Sequence, residues 1–147
     1  GHVAAAIATV NGFNADQDDL SVSCVPEALV LFNPVFDNGP GGYGHDRVQE
    51  IWQSFSPLHN LDSDTPPTIV FLGTKDKLIP VATGEAYRDR MQSLGARCDL
   101  HLFEGAGHGF FNESRSPEYY ADTVEKMDAF LSSIGFQLIN AGPSPKS

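Results

Sequence analysis

Short apolar runs alternate along this chain with longer stretches whose apolar residues recur at helical spacing. Residues 28–33 (Ala-Leu-Val-Leu-Phe-Asn) and 68–72 (Thr-Ile-Val-Phe-Leu) are continuous apolar runs of strand length. That pattern belongs to strands covered on both faces rather than one. Pro34 stops the first run and Pro66-Pro67 launch the second; residues 98–103 predict a third strand. Val48, Ile51, Trp52 and Phe55 have helical spacing, which predicts an amphipathic helix over 45–55, ended by Ser56-Pro57. A helix over 82–94 stops at Gly95. A final helix over 117–134 has Pro117 just inside its start, the acid Glu118 beside it, and Gly135 at its end. Strands alternating with helices of this length pair in parallel through right-handed crossovers. The class is therefore α/β: a parallel sheet of at least three strands with flanking helices.

The two ends read differently. Gly-His-Val-Ala-Ala-Ala-Ile-Ala-Thr-Val opens the chain as an Ala-rich helix apolar on nearly every side, a pattern that demands burial all round. Such a start is expected of a fold that continues upstream of Gly1. No basic segment or cleavage site supplies a targeting address, so the compartment stays unassigned. Residues 11–23 are a polar, acidic loop, and 137–147 a polar, Pro-rich tail expected to fray. Residues 1–136 then form one domain, since 147 residues suffice for one core and not two.

Composition narrows the partners. Apolar residues at 41% and charged residues at 19% describe a folded globular chain. The net charge of -10 argues against a nucleic-acid partner, because phosphate binding depends on clustered Lys and Arg. The longest apolar run, residues 3–8, falls far short of the roughly 20 residues a membrane span requires. Cys24 and Cys98 make neither a disulfide framework nor a zinc set, and both read as small buried hydrophobes.

In parallel sheets, functional groups collect beyond the carboxyl ends of strands. Two such ends carry ionisable residues in tight turns: Leu72-Gly73-Thr74-Lys75-Asp76-Lys77-Leu78-Ile79-Pro80, and Phe103-Glu104-Gly105-Ala106-Gly107-His108-Gly109-Phe110-Phe111. Asp76 and His108 thus sit on adjacent strand ends and can meet. A carboxylate on Nδ1–H fixes an imidazole's tautomer and stabilises the imidazolium formed when Nε2 takes a proton. Glycines 105, 107 and 109 permit the sharp loop around His108. Each residue also has a plain reading: Asp76 as a turn cap for Leu78-Ile79-Pro80, and His108 as a loop histidine bonded to backbone.

Gly73-Thr74-Lys75-Asp76-Lys77-Leu78-Ile79-Pro80 and Glu104-Gly105-Ala106-Gly107-His108-Gly109-Phe110 together resemble the acid and histidine segments of α/β-hydrolase esterases. The similarity is to the lipase/esterase branch related to carboxylesterases and prolyl-oligopeptidase-like hydrolases, and it runs from Gly1 to about Ile134. Ser56-Pro57-Leu58 followed by Pro66-Pro67-Thr68 resembles the stretch before the acid strand in that branch. Gly1-His2-Val3-Ala4-Ala5 resembles the continuation of its Gly-x-Ser-x-Gly elbow. The resemblance implies a carboxylic-ester hydrolase working by a Ser-Asp-His mechanism on a small-molecule ester. It implies no cofactor, Asp76 as acid and His108 as base. The elbow serine would lie roughly three residues before Gly1, so the chain is expected to be the C-terminal half of such a domain and inactive alone. The alternative is a non-catalytic half-domain that works only by self-association or assembly with another chain. Its uncovered sheet edge or apolar N-terminal helix would form the contact.

The resemblance also implies a wall over the acyl pocket built from the segment after the first strand. Phe36, Tyr43 and Trp52, with Phe55, are candidates to line substrate, and Phe110 beside His108 joins them; packing of the loop alone is the equal alternative. Gly39-Pro40-Gly41-Gly42-Tyr43-Gly44 formally satisfies Gly-x-Gly-x-x-Gly. However, residues 34–38 separate it from the strand and Pro40 removes a donor, so it is not read as a dinucleotide site. His2, His45, His59 and His101 lack metal-ligand spacing. Ser114, Ser116 and Cys24 do not sit on a strand-to-helix elbow, and Asn112-Glu113-Ser114 is a glycosylation sequon of the kind that arises by chance.

Overall fold

The computed structural model describes residues 1–137. Nine segments follow in order. They are helix α1 (His2–Thr9), strand β1 (Leu29–Phe32), a 3-10 turn (His45–Arg47), the short helix α2 (Trp52–Phe55), a second 3-10 turn (Pro57–Asn60), strand β2 (Thr68–Gly73), helix α3 (Val81–Ser93), strand β3 (Cys98–Phe103) and helix α4 (Pro117–Ser133). The strands form one parallel sheet in the order β1-β2-β3. Leu29 pairs with Thr68, and Thr68 with Cys98.

β2 is buried along all its length, and the period-2 alternation of its side chains divides the core in two. Val70 joins Leu29, Leu31, Phe36, Tyr87 and Met91 on the face covered by α3. Ile69 and Phe71 join Phe103, Ala106, Phe110 and Phe130 on the face covered by α4. This two-sided coverage explains why β2 reads as an unbroken apolar run. Helix α3 approaches the sheet closely because Gly84 carries no side chain: a Cβ there would stand 3.1 Å from a Leu72 methyl. Ser116 caps α4, its hydroxyl accepting from the Tyr119 amide, with Pro117 in the first turn.

Two expectations change, one at residues 45–55 and one at Cys24. Residues 45–55 do not form one helix; Val48 and Ile51 leave helical geometry between the 3-10 turn and α2. A helix this short has little stability of its own. Tertiary contacts fix its ends instead: His45 Nδ1 lies 2.8 Å from the Asn38 carbonyl, and the Trp52 ring meets His59 edge-on at 4.8 Å. Helix α1 is not enclosed within the described residues. It buries Ala5 and Thr9 while Val3 stays 72% and Ile7 45% exposed. Cys24 is exposed, whereas Cys98 is buried as expected. The polar tail lies outside the described residues except for Gln137.

Candidate active site

β2 ends at Gly73, and the chain turns so that the Asp76 amide bonds the Gly73 carbonyl at 3.1 Å. The turn is fastened to the loop after β3. The Thr74 amide donates to the Phe103 carbonyl (3.0 Å), the Lys75 amide to the Ala106 carbonyl (2.9 Å), and the Gly105 amide to Thr74 Oγ1 (2.8 Å). Gly73 is required by proximity: a Cβ there would fall 2.4 Å from the Ala106 oxygen. Gly105 is required by conformation, with φ of +72°.

These two loops bring Asp76 and His108 together. Asp76 Oδ2 lies 2.7 Å from His108 Nδ1, and Oδ1 accepts from the amides of Leu78 (2.8 Å) and Ile79 (3.1 Å). The Asp76 side chain is fully buried; that of His108 is 50% exposed. A buried carboxylate accepting on both oxygens is a fixed acceptor, and the half-exposed imidazole keeps Nε2 free for proton transfer. Asp76 is thus both the turn cap of its plain reading and the partner of His108.

His108 lines a pocket of about 210 Å³ with Gly1, His2, Asn33, Val35 and Tyr43. Burial holds the His2 imidazole below its usual range, so this neighbour is neutral near pH 7. Val35, Tyr43, Leu78 and Ile79 also border a larger cleft of about 540 Å³, whose far wall includes Phe36, Pro40 and Pro80. Ser56 braces that wall: its hydroxyl donates to the Phe36 carbonyl and accepts from the Asn38 amide, both at 3.0 Å.

The candidate substrate-lining residues separate. Tyr43, 46% exposed, borders both cavities. Phe36 backs the larger cleft but is buried, stacked on Tyr87 at 3.6 Å. Trp52 borders neither cavity and packs against His45 and His59; Phe55 packs against His2 and Phe13. Phe110 is buried in the core against Phe103 and Tyr119, because the turn at 107–111 carries His108 outward and Phe110 inward. Among the described residues no hydroxyl or thiol hydrogen-bonds His108, and no Ser, Thr or Cys borders its pocket.

Sequence reading missed Asn33, which it treated only as the last residue of a strand. Its side-chain oxygen accepts from the Gly73 amide (3.2 Å) and its side-chain nitrogen donates to the His108 carbonyl. The available signal was Asn at a strand end, one of the non-glycine residue types that best tolerate positive φ.

Residues 31–134 match the prolyl oligopeptidase family. Among curated proteins, Esterase LipC of Mycobacterium tuberculosis is 33% identical over 67 residues, 44% of this chain and 16% of that protein. The Probable isoprenylcysteine alpha-carbonyl methylesterase ICMEL1 of Oryza sativa subsp. japonica is 38% identical over 68 residues, 41% of this chain and 16% of that protein. Among solved structures, the propionate-bound thermophilic esterase Est2 of Thermogutta terrifontis is 34% identical with a TM-score of 0.83, covering 95% of this chain and 54% of that one. The same organism's esterase 2 phosphoramylated by tabun is 36% identical with a TM-score of 0.86, covering 95% and 53%. The chain thus spans about half the length of the two solved esterase chains, and its match covers 16% of each curated relative.

Proposed function

Because the chain belongs to the prolyl oligopeptidase family, we propose that it forms the acid-and-histidine half of a carboxylic-ester hydrolase. In this reading Asp76 orients His108 for a serine that lies upstream of Gly1. One observation carries the reading: a buried carboxylate 2.7 Å from Nδ1 of a half-exposed imidazole, on neighbouring parallel strand ends, in a fold shared with esterases. Gly1 and His2 border the same pocket as His108, which supports a serine about three residues upstream as the partner of the imidazole.

The chemistry is then acyl transfer. The serine oxygen attacks the ester carbonyl while His108 Nε2 takes its proton, and the imidazolium is stabilised by Asp76 through Nδ1–H. The tetrahedral adduct collapses, His108 returns the proton to the leaving alcohol, and water repeats the sequence to free the acid. Two cavities of unequal size support an ester with one short group beside His108 and a bulkier one in the larger cleft, walled by Tyr43 and Phe36. The propionate-bound Est2 relative supports a short acyl group.

Hydrolysis of p-nitrophenyl acetate and butyrate tests this. The chain alone is expected to show no turnover above its His108→Ala variant. A chain extended upstream through a Gly-x-Ser-x-Gly segment is expected to turn over, and to lose that activity on His108→Ala or Asp76→Ala. Activity of the extended chain that survives His108→Ala refutes the assignment.

A second reading, a half-domain that works by associating with another chain, has its own support. The outer edge of β1 has no strand partner among the described residues, and Val3, Phe13, Leu20 and Val22 are exposed. Sedimentation showing a folded monomer at high concentration counts against it.

A further inference from the structure

Asn33 follows β1 directly and holds φ of +41°, the only positive φ at a non-glycine among the described residues. A residue before proline ordinarily stays extended, so the fold imposes this conformation on the position before Pro34. The consequence is a buried amide side chain turned across the end of the sheet. β1 pairs with β2 only as far as Phe71, which leaves Gly73 with no β1 backbone opposite it. Asn33 Oδ1 supplies the missing acceptor for the Gly73 amide at 3.2 Å. Its Nδ2 donates to the His108 carbonyl, and its own amide donates to Phe71 at 2.9 Å. Only this orientation of the amide satisfies both partners, since one is an N–H and the other a carbonyl.

The bonds close a ring. Asn33 holds the Gly73 amide, the Gly73 carbonyl holds the Asp76 amide at 3.1 Å, Asp76 holds His108 Nδ1 at 2.7 Å, and the His108 carbonyl returns to Asn33. Asp76 is immobilised independently by the Leu78 and Ile79 amides, but the His108 ring is half exposed and has no second side-chain partner among the described residues. The distance between acid and base therefore depends on where the main chain of His108 is held.

We propose that Asn33 is a positioning residue for the acid–base pair. By tying the His108 backbone to the strand end that carries Asp76, it keeps the imidazole in the Nδ1–H tautomer with Nε2 free before any substrate arrives. This rests on the reading of Asp76 and His108 as acid and base.

Long-range proton–nitrogen NMR of the histidine rings, on the chain itself at a pH where His108 is neutral, tests it. Asn33→Gly keeps the backbone conformation and removes both side-chain bonds. Asn33→Asp keeps the acceptor for Gly73 and sets a second acceptor against the His108 carbonyl. Thr123→Val, in the buried part of α4, serves as a control that loosens the fold elsewhere. The wild type is expected to carry the proton on Nδ1, both Asn33 variants to shift to a majority of Nε2–H while folded by circular dichroism, and Thr123→Val to keep Nδ1–H. Retention of Nδ1–H in folded Asn33→Asp overturns the positioning role, as does a shift in Thr123→Val or unfolding of both Asn33 variants. A wild type without Nδ1–H overturns the acid–base reading itself, and the proposal with it.

Discussion

Replacing Gly73 by Ala tests how tightly the two site loops are fitted to each other. The new Cβ would stand 2.4 Å from the Ala106 oxygen, 2.8 Å from its carbonyl carbon and 3.0 Å from the Gly107 oxygen. All three are main-chain atoms of the histidine loop and cannot rotate away as a side chain could. A close carbon–oxygen contact needs about 3.3 Å, so the loop must retreat by about 0.9 Å. The neighbouring Lys75–Ala106 hydrogen bond, now 2.9 Å, then exceeds bonding distance. Losing it costs about 1 kcal/mol, and accommodating the methyl adds roughly 1–3 kcal/mol. The total of about 2–4 kcal/mol lowers the melting temperature by on the order of 10 °C in a chain this size. The same displacement separates His108 from Asp76, and a misplacement of about 1 Å costs an enzyme on the order of 100-fold in rate. Urea unfolding followed by circular dichroism measures the first effect, and ester hydrolysis by the upstream-extended chain the second. Stability within about 0.5 kcal/mol of wild type, with hydrolysis unchanged, refutes the account of how these loops are spaced.

Asp76→Asn retains an oxygen for the Leu78 and Ile79 amides, so urea unfolding should place it within about 1 kcal/mol of wild type. Asp76→Ala orphans both amides and should cost about 2–3 kcal/mol, while in the extended chain both variants should slow hydrolysis, the Asn variant by roughly 10⁴-fold through the wrong tautomer. Burial pushes the Cys98 thiol up to about 12 while Cys24 is exposed, so a thiol reagent at pH 8 should titrate one cysteine in the folded chain and two in denaturant. Because the Cys98 value is raised on folding, its contribution to stability is complete below the unfolded thiol's range and lost as pH climbs from about 9 towards 12. The decline is at most about 1.4 kcal/mol per pH unit, and Cys98→Ala should flatten it. Ser116→Ala removes the acceptor for the Tyr119 amide and should cost about 1 kcal/mol in thermal unfolding.

The parallel sheet and the helices α3 and α4 could be read from the chain because their signals are local and agree with one another. A strand covered on both faces must be apolar throughout, as residues 68–72 are, and Pro117 with Gly135 brackets a helix whatever surrounds it. Asp76 and His108 could be named for the same reason, since each follows an identifiable strand in a glycine-bearing turn, and strands paired in parallel place such turns side by side. Helical spacing at 45–55 misled, because a short periodic segment has too little intrinsic stability to resist the contacts of His45 and Trp52 at its ends. Proximity to His108 along the chain likewise put Phe110 among the substrate contacts, although the turn at 107–111 leaves His108 half exposed and carries Phe110 into the core. Asn33 offered only its residue type at a strand end, and its role was beyond that local signal. Its partners, Gly73 and His108, are brought to it only when three strands align, and the hydrogen bonds of a single side chain across that alignment leave no periodicity in the sequence. Sequence alone determined which segments pair and which residues could do chemistry; the tertiary structure decided which of them touch, because distance is set by packing and not by spacing along the chain.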